Sequence, residues 1–249
     1  MISQWGPSAG QSLALSLYVA CMAGGALLFY TWSRSPRGVP QYEYAIATFI
    51  PVWSGLAYLA IAFGQGTVVV AGSPVHVARY LDWLVTTPLL LLALALTAMF
   101  RSERKDTTLI AALLGADVVM ILAGLIADLT PGGPVQWIWY GIGCAALLVI
   151  FALAWGPLRR IAEAHGEDLG RAYRGVATFL TVLWIGYPLG WALGPSGLGF
   201  WDGSVDMWWF VLLPILSKVG FSIYDLGALR RLGSHPAHEG HRSALEPAR

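Results

Sequence analysis

SVDMWWFVLLPILSKVGFSIYDLGALR, residues 204–230, is the stretch whose reading decides the fold. It is apolar over nearly its whole length, and a helix of about 20 such residues crosses the roughly 30 Å of hydrocarbon in a bilayer. One lysine, Lys218, stands about 21 Å along that helix at 1.5 Å per residue, which is mid-bilayer. An ionisable group at that depth costs of order several kcal/mol unless it is paired or neutralised. Two readings of Lys218 are therefore open. It is half of a structural ion pair, or it is an amine whose burial favours the uncharged, nucleophilic form that condenses with an aldehyde. The second is the sharper, because the protonated imine it would form needs an anion, and Asp82 on another span is the natural candidate.

Six further stretches pass the same test. They are expected at roughly 10–33, 41–64, 75–101, 106–128, 134–158 and 170–194, and their short connections make one compact bundle with the span at 204–230. The expected fold class is all-α, a seven-transmembrane-helix bundle, with residues 1–232 as the membrane domain and 233–249 as a disordered polar tail. Composition agrees: 57% hydrophobic residues, 12% charged residues and a mean hydropathy of +0.63 belong in a lipid bilayer, since soluble domains carry about 25% charged residues. A net charge of +1, without runs of like charge, gives no electrostatic case for a nucleic-acid partner. Cys21 and Cys144 sit in apolar stretches without metal-binding spacing and read as packing residues. MISQWGPSAG at the start has no basic region and no clear cleavage site, so the apolar stretch behind it reads as a retained first helix.

Lys and Arg are retained on the cytoplasmic side of short loops. Of the 15 here, all but Arg79 and Lys218 fall in or beside the loops after the first, third and fifth spans, or at the C-terminal end. That asymmetry places the N-terminus outside and the C-terminus inside. The loop after the second span, GQGTVVVAGS, has a Val run between glycines and reads as a short extracellular covering hairpin. His235, His238 and His241 lie in the tail, where a solvated segment is the reading preferred over a metal site.

Inside the spans four ionisable residues stand out: Arg79, Asp82, Asp117 and Lys218. In ARYLDWLVTT, Arg79 is three residues before Asp82 and Thr86 four after, so all three share a helix face. A carboxylate flanked by a guanidinium and a hydroxyl stays ionised, as a counterion must. Asp117 has no cation in its own span and reads as neutral, or as hydrogen-bonded to a hydroxyl such as that of Thr87. Trp184, Tyr187, Pro188 and Trp191 recur at i, i+3, i+4 and i+7, one stripe of the sixth helix. Such a stripe is interhelical packing, or, beside a buried Lys and Asp, the wall of a slot for a flat polyene.

RYLDWLVTTPLLLL, LLGADVVM, WIGYPLGW and FVLLPILSKVGF closely resemble the microbial rhodopsins over the second to seventh helices. The resemblance implies all-trans retinal as a Schiff base on Lys218, Asp82 as its counterion, and a pocket of Tyr58, Trp83, Thr87, Leu90, Asp117, Met120, Gly124, Trp184, Tyr187, Pro188, Trp191 and Pro214. It also implies a multi-pass plasma-membrane photoreceptor or transporter rather than an enzyme, one that resembles trimer formers. Two positions depart from the outward proton pumps of the family. Pro214, four residues before Lys218, replaces a second counterion aspartate, and Ala93, eleven after Asp82, replaces the proton-donating aspartate.

These departures, with HVAR at His76–Arg79 and SKVGFSIYDL, resemble the xenorhodopsin and cyanobacterial sensory rhodopsin branch. In that branch an aspartate seven residues after the lysine accepts the proton; here it is Asp225, on the Lys218 face and about 10 Å nearer the cytoplasm. The plainer reading of Asp225 is a solvated acid paired with Arg230 or Arg231. Asp206 matches a proton-release site, and reads either as a path for proton return or as a helix N-terminal acid. Some members carry a partner histidine on the second helix, where this chain has Ala47 and Thr48. The expected function is a light-driven inward proton pump. Its rival is a sensory photoreceptor signalling to a soluble cytoplasmic transducer.

Overall fold

The computed structural model describes residues 9–234. The tail histidines and the terminal segments read above lie outside that range. Seven helices are long and apolar enough to span a membrane: α1 Ala9–Ser33, α2 Gln41–Ala62, α3 Val77–Ala98, α4 Thr107–Leu129, α5 Pro134–Ala164, α6 Glu167–Leu193 and α7 Gly203–Ser234. Between α2 and α3, β1 Val68–Val70 and β2 Ser73–Val75 pair antiparallel with Val68 opposite Val75, the hairpin expected from the Val run. Its two-residue turn, Ala71–Gly72, has both φ angles positive (49° and 83°), the mirror-image turn that suits the twist of paired strands.

Sequence-local chemistry starts and stops these helices. Asp106 caps α4 by accepting the Leu109 amide at 2.9 Å, Asp202 caps α7 through the Ser204 and Val205 amides at 2.8 and 3.0 Å, and Pro134 opens α5. Among the boundaries that differ from expectation, two flank the connection between the fifth and sixth helices. Helix α5 runs past Pro157 to Ala164 instead of ending at 158, and α6 begins at Glu167 rather than 170. The chain absorbs Pro157 in a π-helical turn, Ala154–Leu158, and the Arg159–Glu163 pair at 2.8 Å supports the extra turn beyond it. A second π turn, Ile215–Gly220, follows Pro214 and carries Lys218. Proline lacks the amide that would continue the i→i−4 ladder, and the ladder loosens beside it.

Successive helices pack side by side and α7 closes the ring against α1. Helix α3 is the central one, with 67% of its apolar window buried against 22–44% for the others. The outward faces carry Leu13, Leu27, Leu56, Leu148 and Val182, which suits lipid as solvent. Close approach of α6 and α7 uses Gly186 and Gly190: the Trp209 N–H donates to the Gly186 carbonyl at 3.0 Å, a Cβ at Gly190 would collide with the Trp209 ring, and one at Gly186 would press on Leu213. The bundle has two distinct ends, one bearing the hairpin and one bearing the arginine-rich loops.

Candidate functional site

The π turn of α7 points Lys218 into the bundle centre, fully buried, where its ammonium pairs with the equally buried Asp82 carboxylate of α3. Helix α2 completes the group. Ser54 Oγ accepts from Lys218 Nζ at 2.8 Å and donates to Asp82 Oδ2 at 3.0 Å, while the Tyr18 hydroxyl of α1 meets Ser54 at 2.5 Å. Thr86 Oγ1 donates to the Asp82 carbonyl at 2.8 Å and lies 3.3 Å from Asp82 Oδ1, as the i,i+4 spacing implied. Tyr58 stacks on Tyr18 at 3.8 Å and donates its hydroxyl to the Phe210 carbonyl at 2.7 Å. That carbonyl lies four residues before Pro214, whose missing amide leaves it without a helical donor, so Tyr58 supplies the bond that Pro214 removes.

Beside this group lies a largely apolar cavity rich in aromatic side chains. Of the residues read into the pocket, Trp83, Thr87, Met120, Gly124, Trp184, Tyr187, Pro188 and Trp191 line it. Tyr58, Leu90, Asp117 and Pro214 do not. Leu90 packs in the core with Trp184, and Asp117 stands behind Thr87, which donates to its Oδ2 at 2.7 Å; Asp117 Oδ1 is buried without a partner. The lining also takes in Tyr80, Ile121, Tyr140, Gly143, Cys144, Leu147 and Phe210, none of which the sequence reading placed there. Cys144 is thus a wall residue and not only a packing one. Tyr187 links the cavity wall to the lysine helix: its hydroxyl bonds Ser217 at 2.7 Å, next to Lys218 in the chain.

At the hairpin end one expectation is corrected. Arg79 does not flank Asp82: its guanidinium turns away, pairs with Asp206 at 3.4 Å and lies 4.4 Å over the Phe210 ring. Lys218 already supplies the cation at Asp82, which leaves Arg79 to the acid in the first turn of α7. Asp206 sits in the first turn of α7, as one of its two readings had it, and there pairs with Arg79. Nearby, His76 bonds Thr67 at 2.9 Å just before α3; burial first, and the Arg79 charge second, push its imidazole down to about 3.

At the arginine-rich end Asp225 is only 2% exposed and accepts the Thr97 hydroxyl at 2.6 Å. Pairing with Arg230 or Arg231 does not occur. Arg230 donates to the Trp32 carbonyl at 3.0 Å and the Tyr44 hydroxyl at 3.1 Å, and Arg231 to the Gly227 carbonyl at 3.1 Å. Leu90, Ala93, Leu94, Leu180 and Phe221 belong to one buried apolar cluster, to which α7 contributes Phe221 from between Lys218 and Asp225 in the chain. Ala47 packs with Phe29 and Leu226, and one turn before it Glu43 is buried with Oε1 unpartnered.

Sequence reasoning missed Ser54, Tyr18, Thr97, Glu43 and Asp128. Ser54 was within reach, four residues before Tyr58 on the same face, and so was Thr97, four after Ala93. Asp128 fell at the expected end of the fourth span and was passed over as a boundary.

The model of the family described as "Bacteriorhodopsin-like protein" matches residues 9–232. Bacteriorhodopsin of Halobacterium salinarum is 34% identical over 230 residues, covering 90% of this chain and 86% of that one. Sensory rhodopsin-2 of Haloarcula vallismortis is 33% identical over 214 residues, covering 86% and 88%. The crystal structure of a cyanorhodopsin from Calothrix sp. NIES-2098 superposes with a TM-score of 0.84 at 27% identity, over 92% of this chain and 98% of that one. Members of the family bind retinal covalently through a lysine, and of the two lysines in this sequence Lys105 lies in a loop and Lys218 in the core. The chain belongs to the bacteriorhodopsin-like family, the microbial rhodopsins, and is a light-driven, multi-pass plasma-membrane protein with retinal as its covalent cofactor.

Proposed function

We propose that the chain is a light-driven inward proton pump of the xenorhodopsin kind, with the hairpin end outside and the arginine-rich end in the cytoplasm. The observation that carries this reading is Asp225: a buried carboxylate on the Lys218 helix, bonded to Thr97 and to no cation among the described residues. Ala93, on the same side of the core, has nothing to donate.

The residues present fit retinal. One core amine sits beside a carboxylate, and an aromatic slot adjoins it. Bound there, retinal supplies absorption of visible light and an isomerisation that re-aims the proton on the Lys218 nitrogen. The protein does the rest. Asp82 balances the charge of that nitrogen, and Ser54, donating to Asp82, holds the pair in line. The apolar cluster of Leu90, Leu94 and Phe221 keeps water out in the dark, so a proton bound for Asp225 waits on a rearrangement of this seam. Asp225, already buried and polarised by Thr97, takes the proton and passes it to the cytoplasm. Arg79 and Asp206 stand on the return route from outside.

Illuminated cells expressing the protein test this directly. External alkalinisation abolished by a protonophore is expected, and acidification would overturn the direction. A sensory role is the second reading, favoured by the 33% identity to sensory rhodopsin-2; a light response with no change in external pH would select it and a soluble transducer.

A further inference from the structure

Asp128 stands in the last turn of α4, apart from the Lys218–Asp82 pair and from the route to Asp225, and both its oxygens are engaged. Tyr80 of α3 donates its hydroxyl to Oδ2 at 2.6 Å, and Trp191 of α6 donates its indole N–H to Oδ1 at 2.8 Å. One carboxylate thus ties three helices. Both donor rings are buried and both line the aromatic cavity. They carry the wall around them, since the Tyr80 ring meets Trp83 edge-on at 5.1 Å and Trp191 stacks on Tyr140 at 4.7 Å and 18°. A ring pinned by its polar edge to a carboxylate loses rotations that packing alone would allow, so the set of these rings depends on Asp128.

An indole N–H can only donate, so Asp128 must accept from Trp191, and an ionised carboxylate satisfies both donors at once. Helix α4 packs against α3 and α5, whereas the π turn that carries Lys218 packs against α1, α2 and α6. We propose that Asp128 is a positioning residue of the retinal pocket: its carboxylate holds Tyr80 and Trp191 in the wall and sets a negative charge on the side remote from Lys218, fixing the shape of the slot and the colour of the bound chromophore. This rests on the reading of the cavity as the retinal site. Excitation of a protonated polyene imine moves positive charge away from the nitrogen, so an anion at the remote side lowers the excited state more than the ground state.

Two variants separate the charge from the clamp. In Asp128→Asn the side-chain carbonyl accepts from Trp191 and the amide donates to the Tyr80 oxygen, so the ties remain and the charge goes. Asp128→Ala removes both. The measurements are the absorption band after all-trans retinal is added to the full-chain apoprotein in membranes, and the rate of retinal uptake. Asp128→Asn is expected to move the band to shorter wavelength with uptake near that of the unmodified protein. Asp128→Ala is expected to move the band and also slow uptake by about tenfold, the scale of a lost hydrogen bond to a charged group. Tyr80→Phe, which keeps the ring and removes one tie, should slow uptake with a smaller band shift and serves if Asp128→Ala fails to fold. Bands and uptake rates in Asp128→Asn and Tyr80→Phe that match the unmodified protein overturn the proposal. If the unmodified protein forms no visible band, the retinal-site reading falls as well, and the two failures are told apart by that control.

Discussion

Lys218 and Asp82 are fully buried, and hydroxyls from α1, α2 and α3 surround their pair. A pair in this setting resists loss of either partner, because the survivor is a stranded charge. In the retinal-free protein Asp82→Ala is therefore expected to cost about 3–5 kcal/mol, read from chemical unfolding in detergent, with much of it recovered by Asp82→Leu combined with Lys218→Met. Lys218→Ala is expected to abolish the visible band; a band that survives it would end the attachment assignment. Asp225→Asn removes the proposed acceptor while keeping its size, and light-driven alkalinisation should disappear; a photocurrent equal to that of the unmodified protein would transfer the role to another group. The residues themselves were legible as charges in apolar spans. Ser54 was within reach only as a helix-face neighbour of Tyr58, and Tyr18 was not legible, because a polar side chain in a span shows its partner only once a second helix is placed beside it.

Among the elements, α7 departs furthest from the regular helix read in the sequence. Its π turn follows Pro214, and the orphaned Phe210 carbonyl is taken up by Tyr58 from α2. Tyr58→Phe should cost about 1–3 kcal/mol by leaving that carbonyl unsatisfied. In a Pro214→Ala background, where the restored amide can bond Phe210, the same change should cost less; equal costs in the two backgrounds would show that the hydroxyl and the proline are not coupled. At the hairpin, His76 is held neutral by burial, with its imidazole pushed from 6.5 down to about 3. Between those values the unfolded chain takes up a proton that the folded one does not, so folding stability falls as pH drops through that window. His76→Gln is expected to flatten the fall, measured by thermal unfolding across the window. The spans were legible from length and apolarity. The π turns and the added turn of α5 were not, since a proline alone does not reveal whether a helix ends, kinks or loosens.

For the whole molecule, the proposed inward pumping makes direction a matter of which end holds a usable acceptor. Ala93→Asp places a carboxylate on the α3 side of the apolar seam, where it can return a proton from the cytoplasm, and should shrink or reverse the light-driven alkalinisation; an unaltered signal would mean that the seam does not govern direction. Seven apolar segments, a lysine in the middle of the last and a carboxylate in the third were determined by the sequence by itself, because a bilayer imposes its thickness and its intolerance of charge on each segment separately. Beyond the Lys218–Asp82 pair, tertiary structure alone decided which charge meets which. It sent Arg79 to Asp206 rather than Asp82, buried Asp225 against Thr97 rather than beside Arg230, and drew Tyr80 and Trp191 onto Asp128. Those pairings depend on how helices distant in sequence are rotated against one another, and a single π turn in α7 is enough to shift that rotation.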